Sequence, residues 1–272
     1  MVEETRPPVI ELKDVSKTFP GGHKSERLVA VENVDISIPD EATGEFVALL
    51  GPSGCGKSTI LSMVGGLLDQ SSGTVKTFGK DVHGSNPDTV TVQQAYTCFP
   101  WLTVLANVEF GLQIMGKSGS EAKSIATDYL GRVGLSERLG AYPRELSGGM
   151  QQRVAIARAL ATKSRILLMD EPFGALDAQT RADMQQMLLN LWAQEKQTVL
   201  FVTHDITEAV LLAERVIVFS SRPAKVVQDV KIPFGRPRPP ELLSDPEFVK
   251  TCQALLALLK QGPVMGQVRV SL

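Results

Sequence analysis

Glu45–Leu50 is a short apolar run that ends in Gly51-Pro52-Ser53-Gly54-Cys55-Gly56-Lys57-Ser58-Thr59, and residues 58–68 continue with helical spacing. This succession limits the fold more than any other feature of the chain. A brief apolar run closed by glycine reads as a buried strand. A strand passing through a glycine-rich loop into a helix is a building unit of α/β folds. Gly51–Ser58 has the spacing of a phosphate-cradling loop. Its glycines leave backbone N–H groups open to anionic oxygens, Lys57 has the reach for β/γ-phosphate oxygens, and Ser58 offers a hydroxyl to Mg²⁺.

The rest of the chain supplies the partners such a unit needs. Val9–Val15 and Val29–Ile38 alternate as strands do, joined by a turn at Gly21-Gly22. Thr74–Phe78 and Thr89–Gln94 read as further strands. From Leu105 to Leu160 helix formers dominate, broken at Gly116–Gly119 and Gly140–Arg144, which predicts an inserted helical subdomain over about residues 95–162. Strands are expected again at Arg165–Met169, Thr198–Val202 and Arg215–Ser220, and helices at Arg181–Glu195, Ile206–Ala213 and Phe248–Lys260. Pro233–Pro240 holds four prolines and reads as an extended linker. The expected division is one domain over residues 1–240 and a short helical tail over 241–272.

Composition excludes several classes of function. The 272 residues carry 28 Lys and Arg against 30 Asp and Glu, so no basic field points to nucleic acid. No run approaches the ~20 apolar residues of a membrane span. The first residues are acidic and contain proline, unlike a signal peptide. A role at a membrane would therefore come through a partner. Cys55, Cys98 and Cys252 are far apart, without metal-ligand spacing, and are expected as reduced thiols of a cytosolic protein.

Several residues in this order bear chemistry. Arg165–Glu171 is an apolar strand ending in two carboxylates, Asp170 and Glu171. A metal can be held at such an edge through water, and the second carboxylate suits a general base or water-positioning group. A solvated acidic turn would look the same in isolation. His204 ends another apolar strand, within reach of a γ-phosphate or attacking water if it is not simply structural, and Asp205 beside it also suits a helix cap. Gln94 has an amide oxygen for Mg²⁺, although surface glutamines are common. Phe19 is a flat ring that can stack on a base or pack as an ordinary aromatic. Phe99-Pro100-Trp101 is either core or a docking surface.

Leu146-Ser147-Gly148-Gly149-Met150-Gln151-Gln152-Arg153 forms a second candidate phosphate surface. Ser147 suits a helix cap, and two glycines at the first helical positions let N–H groups approach an anion. Taken together, these residues resemble the nucleotide-binding subunit of an ABC transporter, from about Val9 to Arg238. The octet LSGGMQQR is the specific part, because generic phosphate-loop ATPases lack it. The resemblance implies a P-loop NTPase (RecA-like) α/β core with an antiparallel β subdomain and an inserted α-helical subdomain. It makes Gly51–Thr59 a Walker A loop, Arg165–Glu171 a Walker B strand with Glu171 catalytic, and Gln94 the Q-loop glutamine. Ala175-Leu176-Asp177 falls at the D-loop, His204 at the H-loop, and Phe19 at an aromatic position where Tyr is commoner.

The same resemblance implies ATP as substrate and Mg²⁺ held by Ser58, Gln94 and Asp170. It implies a second ATPase subunit completing each site with Ser147, Gly148, Gly149 and Gln151. Permease subunits and an extracytoplasmic solute-binding protein are the further expected partners, and a peripheral place on the cytoplasmic face of the membrane is implied. Cys98–Val104, Met169–Asp177 and the ending Ser220–Lys225 resemble importers for nitrate, sulfonate, taurine and bicarbonate. The alternatives are a soluble ABC ATPase acting on nucleic acid or the ribosome, or an exporter subunit.

Overall fold

The computed structural model describes residues 6–20, 27–95 and 97–261; Gly21-Gly22 and Tyr96 lie outside the described residues. The chain divides into two compact units, Met1–Asp88 with Thr198–Leu272, and Thr89–Gln197.

In the first unit, an antiparallel sheet is built from β1 (Ile10–Phe19) and β2 (Leu28–Ile38), with β4 (Ser72–Thr77) and the two-residue β5 (Lys80–Asp81) on the other side of β1. Ile10, Leu12 and Val15 are buried and Lys13 and Asp14 exposed, as a sheet with one covered face requires. The register shifts between Leu12 and Val15, where Asp14 has a φ of 50°. That conformation marks a bulge.

The second layer of this unit centres on β3 (Phe46–Leu50), with every residue fully buried. It lies parallel to β8 (Thr198–Thr203) on one side and β9 (Arg215–Phe219) on the other. Burial on both faces explains why the strand is continuously apolar rather than alternating. An antiparallel β10 (Val226–Lys231) extends β9, and the Arg215 guanidinium grips Asp229 across the pair. The helices of the unit are α1 (Lys57–Val64), α6 (Ile206–Leu212) and α7 (Pro246–Gln261). Helix α7 packs on α6, and its Phe248 ring lies 5.7 Å from that of Phe234.

The proline-rich stretch expected as a linker is extended but not a free tether. Arg238 within it is 2 % exposed. Its Nη1 donates to the carbonyls of Val210, Leu211 and Ala213 at 3.0, 3.0 and 2.8 Å. These are the carbonyls a helix leaves unpaired at its C-terminus. Arg238 thus caps α6 from another segment. Burial, and then neighbouring Arg236, pull its pKa down to about 10, which leaves it charged at neutral pH.

The second unit holds the parallel pair β6 (Thr89–Val92) and β7 (Ile166–Asp170). Its helices are α2 (Val104–Ile114), α3 (Gly119–Arg132), α4 (Gly148–Ala161) and α5 (Ala178–Glu195). Helices α2, α3 and α4 pack on one another. Each of the four starts on a hydroxyl or carboxylate cap: Thr103, Ser118, Ser147 and Asp177 accept from the N–H groups of Ala106, Glu121, Met150 and Thr180. One otherwise unpaired donor per helix is satisfied this way. At the far end of α3, Tyr129 Oη and Arg132 Nη1 both donate to the Glu195 carboxylate, at 2.9 and 2.6 Å, tying α3 to the end of α5.

Candidate nucleotide-binding site

In the first unit, the turn from β3 into α1 carries Gly51–Thr59. Lys57 is 3 % exposed, and its Nζ is held at the loop by the carbonyls of Gly51 and Pro52, at 2.7 and 2.9 Å. Pro52, Ser53, Gly54 and Ser58 are exposed, Thr59 is half-buried, and Cys55 is buried beneath the loop. Two glycines are indispensable to this path. Gly54 has φ +72° and Gly56 φ +129°, and a Cβ on Gly56 would stand 2.5 Å from the Ala30 carbonyl. Within the Pro52–Cys55 turn, Cys55 N–H donates to Pro52 O at 3.3 Å.

The same unit supplies two more expected residues. Phe19 closes β1, half-buried, with Lys17 Nζ 5.3 Å from its ring centroid. His204 is exposed just past β8, between two anchored neighbours. Thr203 Oγ1 donates to buried Glu208 at 2.7 Å, and Asp205 Oδ1 accepts from Thr207 and Glu208 N–H at 2.7 and 3.1 Å. Asp205 is therefore the cap of α6, the role left open from its sequence position.

In the second unit, Asp170 ends β7 and Glu171 follows it in the left-handed region, with φ 42°. A glutamate in that conformation is uncommon, and such outliers cluster at functional sites. Gly174 N–H donates to Glu171 O at 3.1 Å and closes the turn. A Cβ on Gly174 would lie 3.4 Å from Gln94 Nε2 and 3.7 Å from Glu171 Oε2. The structure therefore brings the Gln94 amide and the Glu171 carboxylate together beside Gly174.

The octet starts α4 as its sequence implies. Ser147 is exposed and caps the helix, with Gly148 half-buried and Gly149 buried. A Cβ on Gly149 would meet Thr180 Cγ2 at 2.6 Å, so this glycine is also demanded by packing against the start of α5. Gln151 Nε2 donates to Pro143 O and Leu146 O at 3.0 and 3.3 Å, which directs its amide hydrogens to the loop before the cap. Asp177 caps α5; its bond from Thr180 N–H holds the carboxyl below the ordinary aspartate range. A carboxyl held low in the folded chain stabilises it above that range, and the contribution is lost as pH falls through the lowered value.

Phe99, Trp101 and Phe110 form an aromatic cluster, with centroids 5.7 Å (Phe99 to Trp101) and 4.8 Å (Phe99 to Phe110) apart. Trp101 is 71 % exposed. Buried Asn107 fixes the backbone beneath it, accepting from Phe99 N–H and donating to Phe99, Leu102 and Thr103 carbonyls. Cys55, Cys98 and Cys252 are all free thiols. Burial pushes Cys98 up, against the pull of Arg158, and burial with nearby Asp205 takes Cys252 up to about 11, so both stay protonated at neutral pH.

The ABC transporter family model matches residues 31–174. The nitrate import ATP-binding protein of Synechocystis sp. is 44 % identical over 257 residues, covering 92 % of this chain and 95 % of that protein. The chain belongs to the ABC transporter family. The bicarbonate transport ATP-binding protein of Synechocystis sp. is 40 % identical to this ABC ATPase, over 88 % of it and 84 % of that relative. A putative ATP-binding protein of Brucella abortus is 48 % identical, over 81 % and 84 % respectively. Among solved structures, an ATP-binding cassette caught as a post-hydrolysis dimer with ADP and Pi matches with a TM-score of 0.71. Its identity is 36 %, with 83 % of this chain and all of that one covered. The expected ABC ATPase fold is thereby established, and with it nucleotide binding and ATP hydrolysis.

Two contacts had no distinct signal in the sequence. Arg222 reaches the carbonyl of Gly54, and Thr180 abuts Gly149. Both are side chains whose partners are fixed by tertiary placement. A magnesium ion suits the donor types of Ser58, Gln94 and Asp170, which are all hard oxygens. Among the described residues there is no cluster of three or more His, Cys, Asp or Glu. Mg²⁺ on a nucleotide needs none, because one or two protein oxygens and the phosphates normally suffice.

Proposed function

We propose that this chain is the ATP-hydrolysing subunit that energises a membrane importer for a small anion or organic solute of the nitrate, sulfonate, taurine and bicarbonate class. The observation that carries this is the presence of two N–H-rich surfaces in one chain, the Gly51–Thr59 loop and the Ser147-capped start of α4. One surface suffices to hold a nucleotide, so the second serves the nucleotide of another subunit. Relatives named for nitrate import and bicarbonate transport support the solute class. Residues 1–240 would be the ATPase domain, with its helical subdomain over about 95–162, and 241–272 a tail.

The base of ATP would stack on Phe19 while loop N–H groups and Lys57 take the phosphates. Mg²⁺, held by Ser58, Gln94 and, through water, Asp170, would supply charge neutralisation. Glu171 would position and deprotonate the attacking water, and His204 would hold the γ-phosphate. Catalysis is then mainly positioning and electrostatics. Ser147, Gly148, Gly149 and Gln151 would act in trans as two subunits close.

No helix among the described residues is long and apolar enough to cross a membrane. Permease subunits would dock near Gln94–Trp101, where Trp101 is exposed, placing the chain peripherally on the cytoplasmic face. A solute-binding protein would complete the complex. Co-expression with permease and binding protein tests this. The chain should co-purify with them, and one of nitrate, bicarbonate, sulfonate or taurine should stimulate its ATPase. Recovery only with ribosomes or DNA, with no solute stimulation, would sink the importer reading.

A further inference from the structure

Ser220-Ser221-Arg222-Pro223-Ala224-Lys225 forms the turn between β9 and β10. We propose that this turn is a strut for the phosphate loop and that Arg222 is its positioning residue. The inference rests on Gly51–Thr59 binding nucleotide phosphates.

Three loop glycines abut this turn or the last residue of β9 before it. A Cβ on Gly51 would stand 3.1 Å from Phe219 Cβ, and one on Gly54 3.6 Å from Arg222 Nη2. One on Gly56 would stand 3.1 Å from Ala224 Cβ, in addition to its contact with Ala30. The loop thus has a solid back formed by residues 219–224 and β2.

The turn is itself rigidly built. Ser220 Oγ donates to Pro223 O at 2.9 Å and accepts from Lys225 N–H at 3.0 Å. Ala224 N–H donates to Ala30 O at 2.9 Å, and Ala224 O accepts from Glu32 N–H at 3.0 Å, locking the turn to β2. From this base Arg222 places Nε and Nη2 on the single carbonyl of Gly54, at 3.0 and 2.6 Å. Bonds from a cation are about twice as strong as neutral ones.

That carbonyl controls the loop because the peptide is planar. With Gly54 O fixed outward, Cys55 N–H must face the opposite way. It faces Pro52 O, the carbonyl that also holds Lys57 Nζ. A continuous path therefore runs from Arg222 through the 54–55 peptide to the phosphate-binding lysine. Arg222 acts on the path of the loop and not on a particular phosphate, so its loss weakens ADP and ATP alike.

Binding of ADP and ATP to the full chain, by calorimetry, tests this. Arg222→Ala should weaken both by a common factor of about tenfold, the size expected for losing charge-assisted bonds. It should raise the KM for ATP far more than it lowers kcat. Arg222→Lys, which keeps one donor to the same carbonyl, should recover part of the affinity. Lys57→Ala serves as the control. If Lys57→Ala abolishes binding while Arg222→Ala binds both nucleotides at wild-type affinity, the strut is overturned and the phosphate loop stands. Loss of ATP affinity with ADP unaffected also overturns it, because Arg222 would then be a γ-phosphate ligand. Wild-type affinity in Lys57→Ala would overturn the phosphate loop and the strut together.

Discussion

Glu171, the proposed general base, has an unusual backbone as well as a carboxylate. Its φ of 42° costs energy that an extended residue would not incur, and the turn closed by Gly174 N–H maintains it. The substitution Glu171→Gln separates the backbone from the chemistry, since Gln fills the same volume and bears the same conformational cost. The variant should fold with an unchanged melting temperature and bind ATP normally. Its kcat should fall by about a hundredfold or more, the usual scale for removing a general base. An ATP-bound dimer should then accumulate in gel filtration. A wild-type rate would remove Glu171 from the role of base. The neighbouring Gln94 amide also lies beside Gly174.

Elements, not residues, decide where the octet points. Gly149 sits at the start of α4 pressed on Thr180, three residues beyond the Asp177 that caps α5. The starts of α4 and α5 therefore meet at the Thr180 methyl group. Gly149→Ala should overpack that contact, costing about 1–3 kcal/mol and depressing ATPase activity. Thr180→Ser removes the offending methyl, so the double variant should regain much of both losses. A double-mutant cycle in melting temperature and kcat measures the coupling; additive effects would mean that the contact does not matter. The apolar runs at β3, β7 and β8 were readable because burial on both faces leaves no alternation to misjudge. The motif residues were readable because their spacing is local. Strand β10 was missed because only Val230 is buried in it and an ion pair, Arg215 with Asp229, helps to hold it. Arg238 was hidden for the same kind of reason: its partners lie 25–28 residues away along the chain. The second purpose of Gly149, close packing, is invisible without Thr180 beside it.

At the scale of the molecule, the two surfaces proposed to face phosphates, Gly51–Thr59 and the start of α4, belong to two different compact units. Under the dimer proposal each subunit gives one surface to its own nucleotide and the other to its partner's. Ser147→Arg gives up the cap bond from Met150 N–H, since a guanidinium cannot accept it, and places bulk and positive charge at the exposed start of α4. The isolated chain should bind ATP as before, whereas dimerisation in the Glu171→Gln background and ATPase turnover should both be lost. Normal turnover would mean that the site is complete within one chain. The central position of β3 has a different consequence, set by the order of synthesis. Both of its parallel neighbours, β8 and β9, come from beyond residue 197. Phe46–Leu50 leaves the ribosome long before either exists, five apolar residues with no ladder to join. The Thr89–Gln197 unit is continuous and contains its own strands and helices, so it can close first. Between the emergence of Leu50 and that of Phe219 the strand waits unpaired, the kind of exposed apolar segment that a chaperone covers.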